Sequence, residues 1–366
     1  MTMVDQRSPA QSSTVPGDAS RFGVFLPSYI WEGDDASRVE GLLSFAREVE
    51  RLGFDSIFIT DHVIAAKHFY DVSWLDSLTT LTFVAAVTKR VRLGTSILIL
   101  PLRHPVILAK QLATLEYLSG DRYILGGGVG WYEPEFEAVG THKRERGRRS
   151  DEVLDIVLAL LARERVSYEG DFYAIRDVTI DPRPAHLPLV WIGGGSQLAS
   201  EKSPEAPRFA ASVMARVARS DGWIPRPTSP PDQIASDWIE LSSYLTEHGR
   251  DPAEIAVVHE NFLHYVPSGD RERVLRTQHD AYRRVMSDAR GDDYLEEVYL
   301  FGTPDDIVTK LQARVDAGVQ YFVLHTMTPD PAQLESWLRE VIPNVRFPRS
   351  MANPGRVTTS GEPTEG

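Results

Sequence analysis

The side chains best suited to acid–base chemistry stand at the ends of two short apolar runs. Asp61 and His62 directly follow the run at 56–60, and His325 ends the run at 321–325. An imidazole gains and loses protons near neutral pH, so His62 is the candidate for proton transfer. Asp61 need not be its partner, because neighbours on a strand point to opposite faces. The alternative for either histidine is a packed structural role.

Two further apolar runs end in small residues. One passes through Thr95-Ser96-Ile97, and the next ends in Gly126-Gly127-Gly128-Val129-Gly130-Trp131. A helix-like segment from Pro105 to Leu118 separates them, which makes the two strands parallel neighbours in one sheet. Small residues let the backbone lie flat against a ligand. We therefore expect a flat ligand to lie across this edge of the sheet.

A third small-residue segment, Gly193-Gly194-Gly195-Ser196, follows the apolar run at 189–192. It precedes a predicted helix and offers a row of free backbone amides and a hydroxyl, an arrangement suited to a phosphate group. The alternative is a tight turn without a ligand.

Other chemistries find little support in the sequence. The absence of cysteine excludes thiolate nucleophiles, disulfides and cysteine metal sites. Glu133 occupies the place of the third glycine that a dinucleotide fingerprint requires. The pair His259-Glu260 is not followed by the second histidine of a zinc helix motif, and the strand ends supply few metal ligands, so no metal site is predicted. Ser96 and Ser196 both lack the second glycine of a nucleophile elbow.

These residues would be positioned by eight apolar runs that alternate with helix-like segments. The runs begin at residues 21, 56, 92, 123, 189, 221, 256 and 321. A polar hairpin with its turn at Gly170-Asp171 interrupts the alternation. The pattern predicts an α/β fold, a (β/α)8 TIM barrel with insertions, rather than a doubly wound sheet. The active site of such a barrel lies at the carboxyl ends of its strands.

Composition and charge limit the partners and the compartment. We expect residues 1–20 to be a disordered leader, 21–347 a single barrel domain and 348–366 a disordered tail, because both ends lack an apolar core. The formal net charge of −13 argues against nucleic acid and anionic membranes as partners. No apolar run approaches the roughly 18 residues of a membrane span, and no signal peptide is recognisable. The expected compartment is the cytoplasm.

From residue 21 to residue 341 the chain resembles the bacterial luciferase-like superfamily of flavin-dependent and deazaflavin (coenzyme F420)-dependent oxidoreductases. The resemblance rests on Glu50-Arg51-Leu52-Gly53-Phe54-Asp55-Ser56, Asp61-His62, Leu93-Gly94-Thr95-Ser96-Ile97, Arg103-His104-Pro105, Leu118-Ser119-Gly120-Asp121-Arg122, Gly128-Val129-Gly130-Trp131, Tyr168-Glu169-Gly170-Asp171-Phe172-Tyr173 and Asp221-Gly222-Trp223. It implies a luciferase-like TIM barrel.

The resemblance also implies roles for the strand-end residues. His62 would be catalytic, Asp61 would lie with it against the tricyclic ring, and Ser96-Ile97 would form a bulge behind the ring, through a non-proline cis bond in deazaflavin members. The other cofactor contacts would be Val129, Gly130, Gly193, Gly194, Gly195 and Ser196. The residues expected to line the substrate pocket are Tyr29, Trp31, His68, Trp131 and His325. Phe69 and Tyr70 would add to an aromatic wall, which implies an apolar or aromatic substrate.

One branch of the family is disfavoured. Deazaflavin glucose-6-phosphate dehydrogenases carry a catalytic glutamate directly after the glycine matched by Gly130, and a tryptophan four positions after the matched histidine. Here those places hold Trp131 and Ala66. The sequence therefore argues against sugar-phosphate oxidation.

Three functions remain open. The first is a coenzyme F420-dependent oxidoreductase that transfers hydride to or from an organic substrate. The second is an FMN-dependent monooxygenase that uses oxygen and needs a flavin reductase as partner, and the third is a non-catalytic flavin-binding protein. A homodimer is expected from the resemblance. The basic cluster at 143–149 would either bind the anionic tail of the deazaflavin or pair with Glu145, Asp151 and Glu152 at a solvated helix start.

Overall fold

Eight parallel strands close into a barrel. The computed structural model describes residues 19–29, 34–67, 69–196, 209–349 and 351–354. The strands in this part of the chain are β1 (Phe22–Phe25), β2 (Ser56–Ile59), β3 (Arg92–Thr95), β4 (Leu98–Ile99), β5 (Tyr123–Gly128), β6 (Val166–Glu169), β7 (Ala174–Val178), β8 (Leu189–Gly193), β9 (Gly222–Ile224), β10 (Ala256–Phe262) and β11 (Tyr321–His325). Parallel pairing runs from β3 through β2, β1, β11, β10, β9, β8 and β5, and the β3–β5 pairing closes the ring. The predicted (β/α)8 barrel is confirmed.

Helices follow the barrel strands and cover their outer faces. They are α1 (Asp35–Arg51), α2 (Ser77–Ala85), α3 (Pro105–Ser119), α4 (Glu133–Ala138), α5 (Arg146–Ala162), α6 (Ala211–Val217), α7 (Pro231–Glu247), α8 (Arg271–Arg283), α9 (Asp292–Val298), α10 (Pro304–Asp316) and α11 (Ala332–Ser336). None of the helices that the structure describes is long and apolar enough to cross a membrane.

The short β4 continues β3 beyond a break at Ser96-Ile97. Leu98 and Ile99 pair with Gly127 and Gly128 of β5, so the chain rejoins the barrel after the break. The peptide bond between Ser96 and Ile97 is cis. This break, at the carboxyl end of β3, is the bulge that the family resemblance implied.

The predicted hairpin insertion is present and is fastened to the barrel by a carboxylate. Strands β6 and β7 pair antiparallel across the turn after Glu169. Glu152 of α5 accepts hydrogen bonds from the backbone amides of residues 171, 172 and 173, at 2.7 to 3.3 Å. Glu152 thus caps the hairpin turn and has no role as a counter-ion for the basic cluster.

Helix boundaries show where local signals succeed and fail. Thr303 and Asp306 form a capping box at the start of α10, with Pro304 in the first turn, as the residue types indicate. Ser37 and Glu40 have the same spacing, which predicts a capping box at Ser37 that the structure does not have. Helix α1 begins at Asp35, and the side chain of Asp34 accepts a hydrogen bond from the Ser37 amide. An aspartate three residues upstream takes the capping role.

The core has two layers separated by the strands. The inner layer fills the barrel with the side chains of Phe25, Phe58, Ile124, Trp191, Ile224, Ala256, Val258, Tyr321 and Val323. The outer layer lies between strands and helices. Bulky groups inside a barrel of this size leave no pore, so ligand space exists only at the ends.

One glycine of the barrel wall is required by backbone packing. A Cβ atom on Gly126 would overlap the carbonyl oxygen of Thr95. Because this oxygen belongs to the backbone, it cannot move aside as the end of a flexible side chain could. The Thr95 hydroxyl donates a hydrogen bond to the Gly126 carbonyl at 2.9 Å. The neighbouring strands β3 and β5 are therefore held in close contact at this point.

The domain limits need a small correction. Ala19, placed in the leader by the sequence, is buried in a short helical turn at 19–21. The Arg21 guanidinium donates to the carbonyls of Met351 and Ala352, so the described part of the tail packs against the start of the barrel. Residues 1–18 and 355–366 lie outside the described part of the chain.

Candidate active site

Two adjoining cavities open at the carboxyl ends of the barrel strands. The first, which we call the slot, has a volume of about 310 Å³ and is lined by Asp61, His62, Ser96, Ile97, Ile99, Gly130, Gly193, Gly194, Ile224 and Pro225. The second, the aromatic chamber, has about 410 Å³ and is lined by Phe69, Trp74, Thr228, Phe262, Tyr282, Met286, Ser287, Ala289, Arg290, Tyr299 and His325. Thr60, Tyr70, Trp131, Arg226, Pro227 and Glu260 line both.

His62 is oriented by a carboxylate that the sequence did not reveal. Its Nδ1 lies 3.2 Å from Oε1 of Glu135, which also accepts a hydrogen bond of 2.7 Å from the Val63 amide. Glu135 is fully buried at the start of α4. A carboxylate at Nδ1 fixes the ring and leaves Nε2 for a ligand in the slot. Tyr70 packs against the imidazole with ring centroids 4.9 Å apart.

Asp61 uses its carboxylate to hold the protein together. One oxygen accepts from the Ser77 hydroxyl at 2.9 Å and from the Arg103 guanidinium at 2.6 Å, and the other accepts from the Ile99 amide at 2.9 Å. The side chain is almost completely buried. Asp61 thus ties β4 and α2 to the end of β2, while its contact with the cofactor stays a prediction.

Replacing Asp61 with asparagine is therefore expected to lower the free energy of unfolding by about 3 kcal/mol, because Arg103 would lose its buried counter-ion. The surface pair of Asp155 with Arg219 provides the matched control. Asp155→Asn should cost less than about 1 kcal/mol. Urea unfolding of both variants measures the difference, and equal losses would show that the Asp61 carboxylate has no structural role.

The Ile97 side chain explains two of the glycines at the rim. A Cβ atom on Gly128 would overlap Cδ1 of Ile97, and one on Gly193 would lie 2.7 Å from its Cγ2. From their position at strand ends, these small residues were expected to contact a ligand. In the structure they make room for Ile97, which in turn forms part of the slot.

The segment 193–196 is less open than predicted. The Gly194 amide donates to the Ile224 carbonyl at 3.0 Å, and the Ser196 amide donates to Asp237 at 2.8 Å. The expectation of a row of free amides is therefore wrong at these two positions. Gly193 and Gly194 line the slot, whereas Gly195 and Ser196 do not. The phosphate contact of this segment stays a prediction.

A cation beside this segment offers an alternative anchor for an anion. Arg226 lies at the boundary of the slot and the chamber, and its Nε donates to the Gly195 carbonyl at 3.2 Å. Burial lowers the pKa of Arg226, and the nearby Arg146 lowers it further. Among the described residues, neither the Arg226 guanidinium nor the Arg146 guanidinium forms an ion pair with a carboxylate. The nearby Asp237 carboxylate raises the pKa of Arg226 again, and the positive charge of Arg226 at the rim favours a bound anion.

The basic cluster at 143–149 pairs only partly as expected. Arg149 contacts Glu145 at 3.0 Å, as predicted. Arg148 instead contacts Asp171 of the hairpin at 2.7 Å, and Asp151 pairs with Arg216 of α6. The predicted pairing of the cluster with Asp151 and Glu152 is wrong, and Arg146 forms no ion pair among the described residues.

The residues predicted to line the substrate pocket separate into three groups. Trp131 and His325 line the aromatic chamber. Tyr29 does not line either cavity; it is buried behind Trp74, with ring centroids 5.0 Å apart, so this prediction is wrong. Trp31 and His68 lie outside the described residues. Val129, predicted to touch the cofactor, is also absent from the walls of both cavities.

His325 contributes shape rather than charge. Its ring stacks on Phe25 with centroids 4.7 Å apart and contacts Phe262 at 5.1 Å. Burial lowers the pKa of His325 to about 3, so the ring is neutral at physiological pH. The wall around it is aromatic, which suits an apolar or aromatic ligand.

Glu260 is the second carboxyl that the sequence analysis missed. It faces the inside of the barrel from β10, and the Ser96 hydroxyl donates a hydrogen bond to it at 2.8 Å. Burial raises the pKa of Glu260 to about 7, and the Ser96 hydrogen bond opposes this rise only in part. Among the described residues, no group of three His, Asp or Glu side chains could hold a metal ion.

Comparisons with known proteins place this geometry in context. A family model described as luciferase-like monooxygenase matches residues 20–321. The F420-dependent glucose-6-phosphate dehydrogenase of Microbacterium testaceum is 27% identical over 331 residues, covering 83% of this chain and 93% of that protein.

Two solved structures share the fold. An F420-dependent secondary alcohol dehydrogenase in complex with an F420–acetone adduct has a TM-score of 0.72 at 18% identity, covering 89% of this chain and 99% of that one. Monooxygenase RslO1 from Streptomyces bottropensis has a TM-score of 0.72 at 22% identity, covering 88% and 99%. At these identities the likeness concerns the fold alone.

Proposed function

Because the chain belongs to the luciferase-like monooxygenase family, we propose that it is a coenzyme F420-dependent oxidoreductase acting on an aromatic or apolar organic substrate. The observation that carries the proposal is the adjacency of the two cavities, which share Tyr70, Trp131 and Glu260. A planar ring in the slot and a substrate in the chamber would meet at this boundary. Relatives named as F420-dependent dehydrogenases support the choice of cofactor.

The slot fits a planar redox ring. Its walls are largely backbone and aliphatic atoms at Ile97, Gly130, Gly193 and Ile224, with the Nε2 side of His62 available. When bound, the deazaflavin supplies or accepts a hydride. The protein would contribute orientation through Ile97, proton transfer through His62, and exclusion of water through the aromatic wall of the chamber.

An FMN-dependent monooxygenase is the second candidate, favoured by the fold shared with RslO1. It would need reduced FMN from a flavin reductase. A non-catalytic flavin-binding protein is the third. The three are separated by one assay: hydride transfer with F420 and oxygen uptake with reduced FMN, each with a panel of aromatic ketones and alcohols. F420-linked turnover without oxygen uptake is expected, while rapid oxygen consumption with FMN would overturn the proposal.

The same assay with glucose 6-phosphate tests the substrate class. We expect no turnover, because Trp131 stands where the sugar-phosphate enzymes carry their catalytic glutamate, and Ala66 is buried where they carry a tryptophan.

Removing the charge of Arg146 is expected to weaken F420 binding about tenfold, because the anionic tail would lose a charge-assisted contact. The deazaflavin chromophore without phosphate or tail should bind the Arg146→Ala variant and the unaltered protein equally well. Arg144→Ala, on the exposed side of the same cluster, is the matched control. Isothermal titration calorimetry measures the affinity of each of the three proteins for both ligands, and an equal loss for both ligands in Arg146→Ala would contradict the role of Arg146.

A homodimer fits an apolar groove on the outer surface. The groove runs between α1, α2 and the end of α3 and has a volume of about 900 Å³. Its exposed apolar residues are Val39, Leu75, Phe83 and Leu118. Covering such a surface with a second copy removes apolar area from water. Light scattering of the purified protein would give the subunit number. The cytoplasm remains the proposed compartment, because a chain without cysteine does not depend on an oxidising environment.

A further inference from the structure

Glu260 stands where the slot and the aromatic chamber meet. Side chains of β10 alternate across the barrel wall, so Ala256 and Val258 point inward with Glu260, while Val257 joins the outer layer. The next inward residue, Phe262, lines the chamber. Glu260 is therefore the last inward-facing polar group of the strand before the aromatic wall, and it lines both cavities.

The carboxyl has one hydrogen-bond donor and no counter-ion in the described part of the chain. That donor is the Ser96 hydroxyl at 2.8 Å. The charged and titratable groups that share its cavities come from four other elements, and each is committed elsewhere or neutral. They are Asp61, His62 and Tyr70 after β2, Arg226 after β9, His325 of β11, and Tyr282, Arg290 and Tyr299 of the segment 271–301.

Two of these groups could in principle neutralise Glu260, and neither does. Arg226 donates to the Gly195 carbonyl. Arg290 donates to the hydroxyl of Tyr294 at 2.8 Å. A buried carboxyl without a counter-ion keeps its proton to higher pH than an exposed one. Burial accordingly raises the pKa of Glu260 to about 7, which allows it to donate or accept a proton under physiological conditions.

We propose that Glu260 exchanges a proton with a carbonyl or hydroxyl oxygen of an aromatic substrate held in the chamber. The inference rests on the proposed function and specifies its substrate, which must present such an oxygen towards β10. Among the described residues that line the chamber, Glu260 is the only carboxyl, and the neutral His325 is stacked between rings. His62 lies on the side of the slot, where it would act on the deazaflavin ring.

The proton balances the hydride. In the reducing direction, a bound reduced deazaflavin would supply a hydride to the carbonyl carbon of the substrate, and the π electron pair would move onto oxygen. Glu260 gives its proton to that oxygen, so the ketone becomes an alcohol and the carboxyl becomes a carboxylate. In the oxidising direction, the carboxylate accepts the proton of the alcohol as the hydride leaves carbon. The cofactor is oxidised or reduced by two electrons, respectively.

The test is a binding experiment on the protein without cofactor. Two probes of similar shape are titrated calorimetrically at about pH 5.5 and about pH 8.5, on either side of the pKa of Glu260. The probes are 2-acetylnaphthalene, which has a carbonyl, and 2-ethylnaphthalene, which does not. Protonated Glu260 can donate to the carbonyl, whereas the carboxylate repels it. The affinity for the ketone should fall about tenfold from the lower to the higher pH, while that for the hydrocarbon stays constant.

Variants identify the group responsible. In Glu260→Gln the amide donates at every pH, so the ketone should bind with an affinity independent of pH. Glu297→Gln, a change at an exposed glutamate of α9, should behave like the unaltered protein. With F420 bound and turnover measurable, Glu260→Gln should also lose the part of the pH profile that lies near pH 7.

Each other outcome overturns the proposal. If neither probe binds, the chamber does not hold an aromatic substrate. If the ketone binds without pH dependence, or if the dependence persists in Glu260→Gln, another group or none exchanges the proton. Failure of F420 to bind would instead contradict the proposed function, and the binding of the naphthalenes, measured without cofactor, distinguishes the two failures.

Discussion

Turnover of the His62→Ala variant is expected to be at least about a hundredfold below that of the unaltered enzyme, the usual size of an acid–base contribution. The affinity for F420 should change little, because the slot keeps its backbone and aliphatic walls. The loss of turnover is expected because Glu135 holds Nδ1 of the imidazole and Nε2 is the remaining site for proton transfer. Steady-state kinetics and a cofactor titration on the same preparation separate the two effects.

The Glu135 carboxylate behind His62 allows a second test of this prediction. Glu135→Gln keeps the shape of the side chain but weakens its hold on the imidazole, and it should lower turnover by about tenfold, as for other partners that orient a functional histidine. His186→Ala, at an exposed histidine, should leave turnover unchanged. Full activity of His62→Ala would remove this residue from the mechanism.

A second large effect is expected on stability. Gly126→Ala should lower the free energy of unfolding by about 3 kcal/mol or more, because the new methyl group would overlap a backbone carbonyl oxygen and force β3 and β5 apart. Gly127→Ala is the matched control on the same strand. Its Cβ would meet only the end of the Leu100 side chain at 3.1 Å, which can shift.

Urea unfolding of the two glycine variants tests this explanation. Both substitutions reduce the freedom of the unfolded chain equally, so the difference between them isolates the overlap. Similar midpoints would show that the contact between Thr95 and Gly126 is not tight. Cofactor binding by the Gly127→Ala variant should remain intact.

The barrel was predictable because its signals are local. Each strand is a short apolar run, each is followed by helical periodicity, and eight repeats close a sheet. Helix ends were less predictable, since Ser37 and Asp34 both have side chains that can cap and only packing decides between them.

The site was predictable at His62, Ile97 and Trp131, which follow strand ends. It was not predictable at Glu135 or Glu260, because their partners are far away in sequence. His62 and Glu135 are 73 residues apart, and Ser96 and Glu260 are 164 residues apart. The inward direction of Glu260 follows from strand alternation once β10 is placed, so this signal was available. The family resemblance drew attention to other positions.

The glycines show a different limit. Small residues at a strand end indicate close approach, but they do not say what approaches. At Gly128 and Gly193 the neighbour is Ile97, and at Gly126 it is the backbone of Thr95. Close approach of protein atoms therefore accounts for these glycines, and Gly193 lines the slot as well.

The central claim is that the slot beside His62 holds the ring of coenzyme F420. The most direct measurement is an absorbance titration of the oxidised deazaflavin with the purified protein, run in parallel with FMN. The proposed function predicts saturation at one F420 per chain and an affinity for FMN at least about tenfold weaker. Tighter binding of FMN, or the absence of saturation with either ligand, would contradict it.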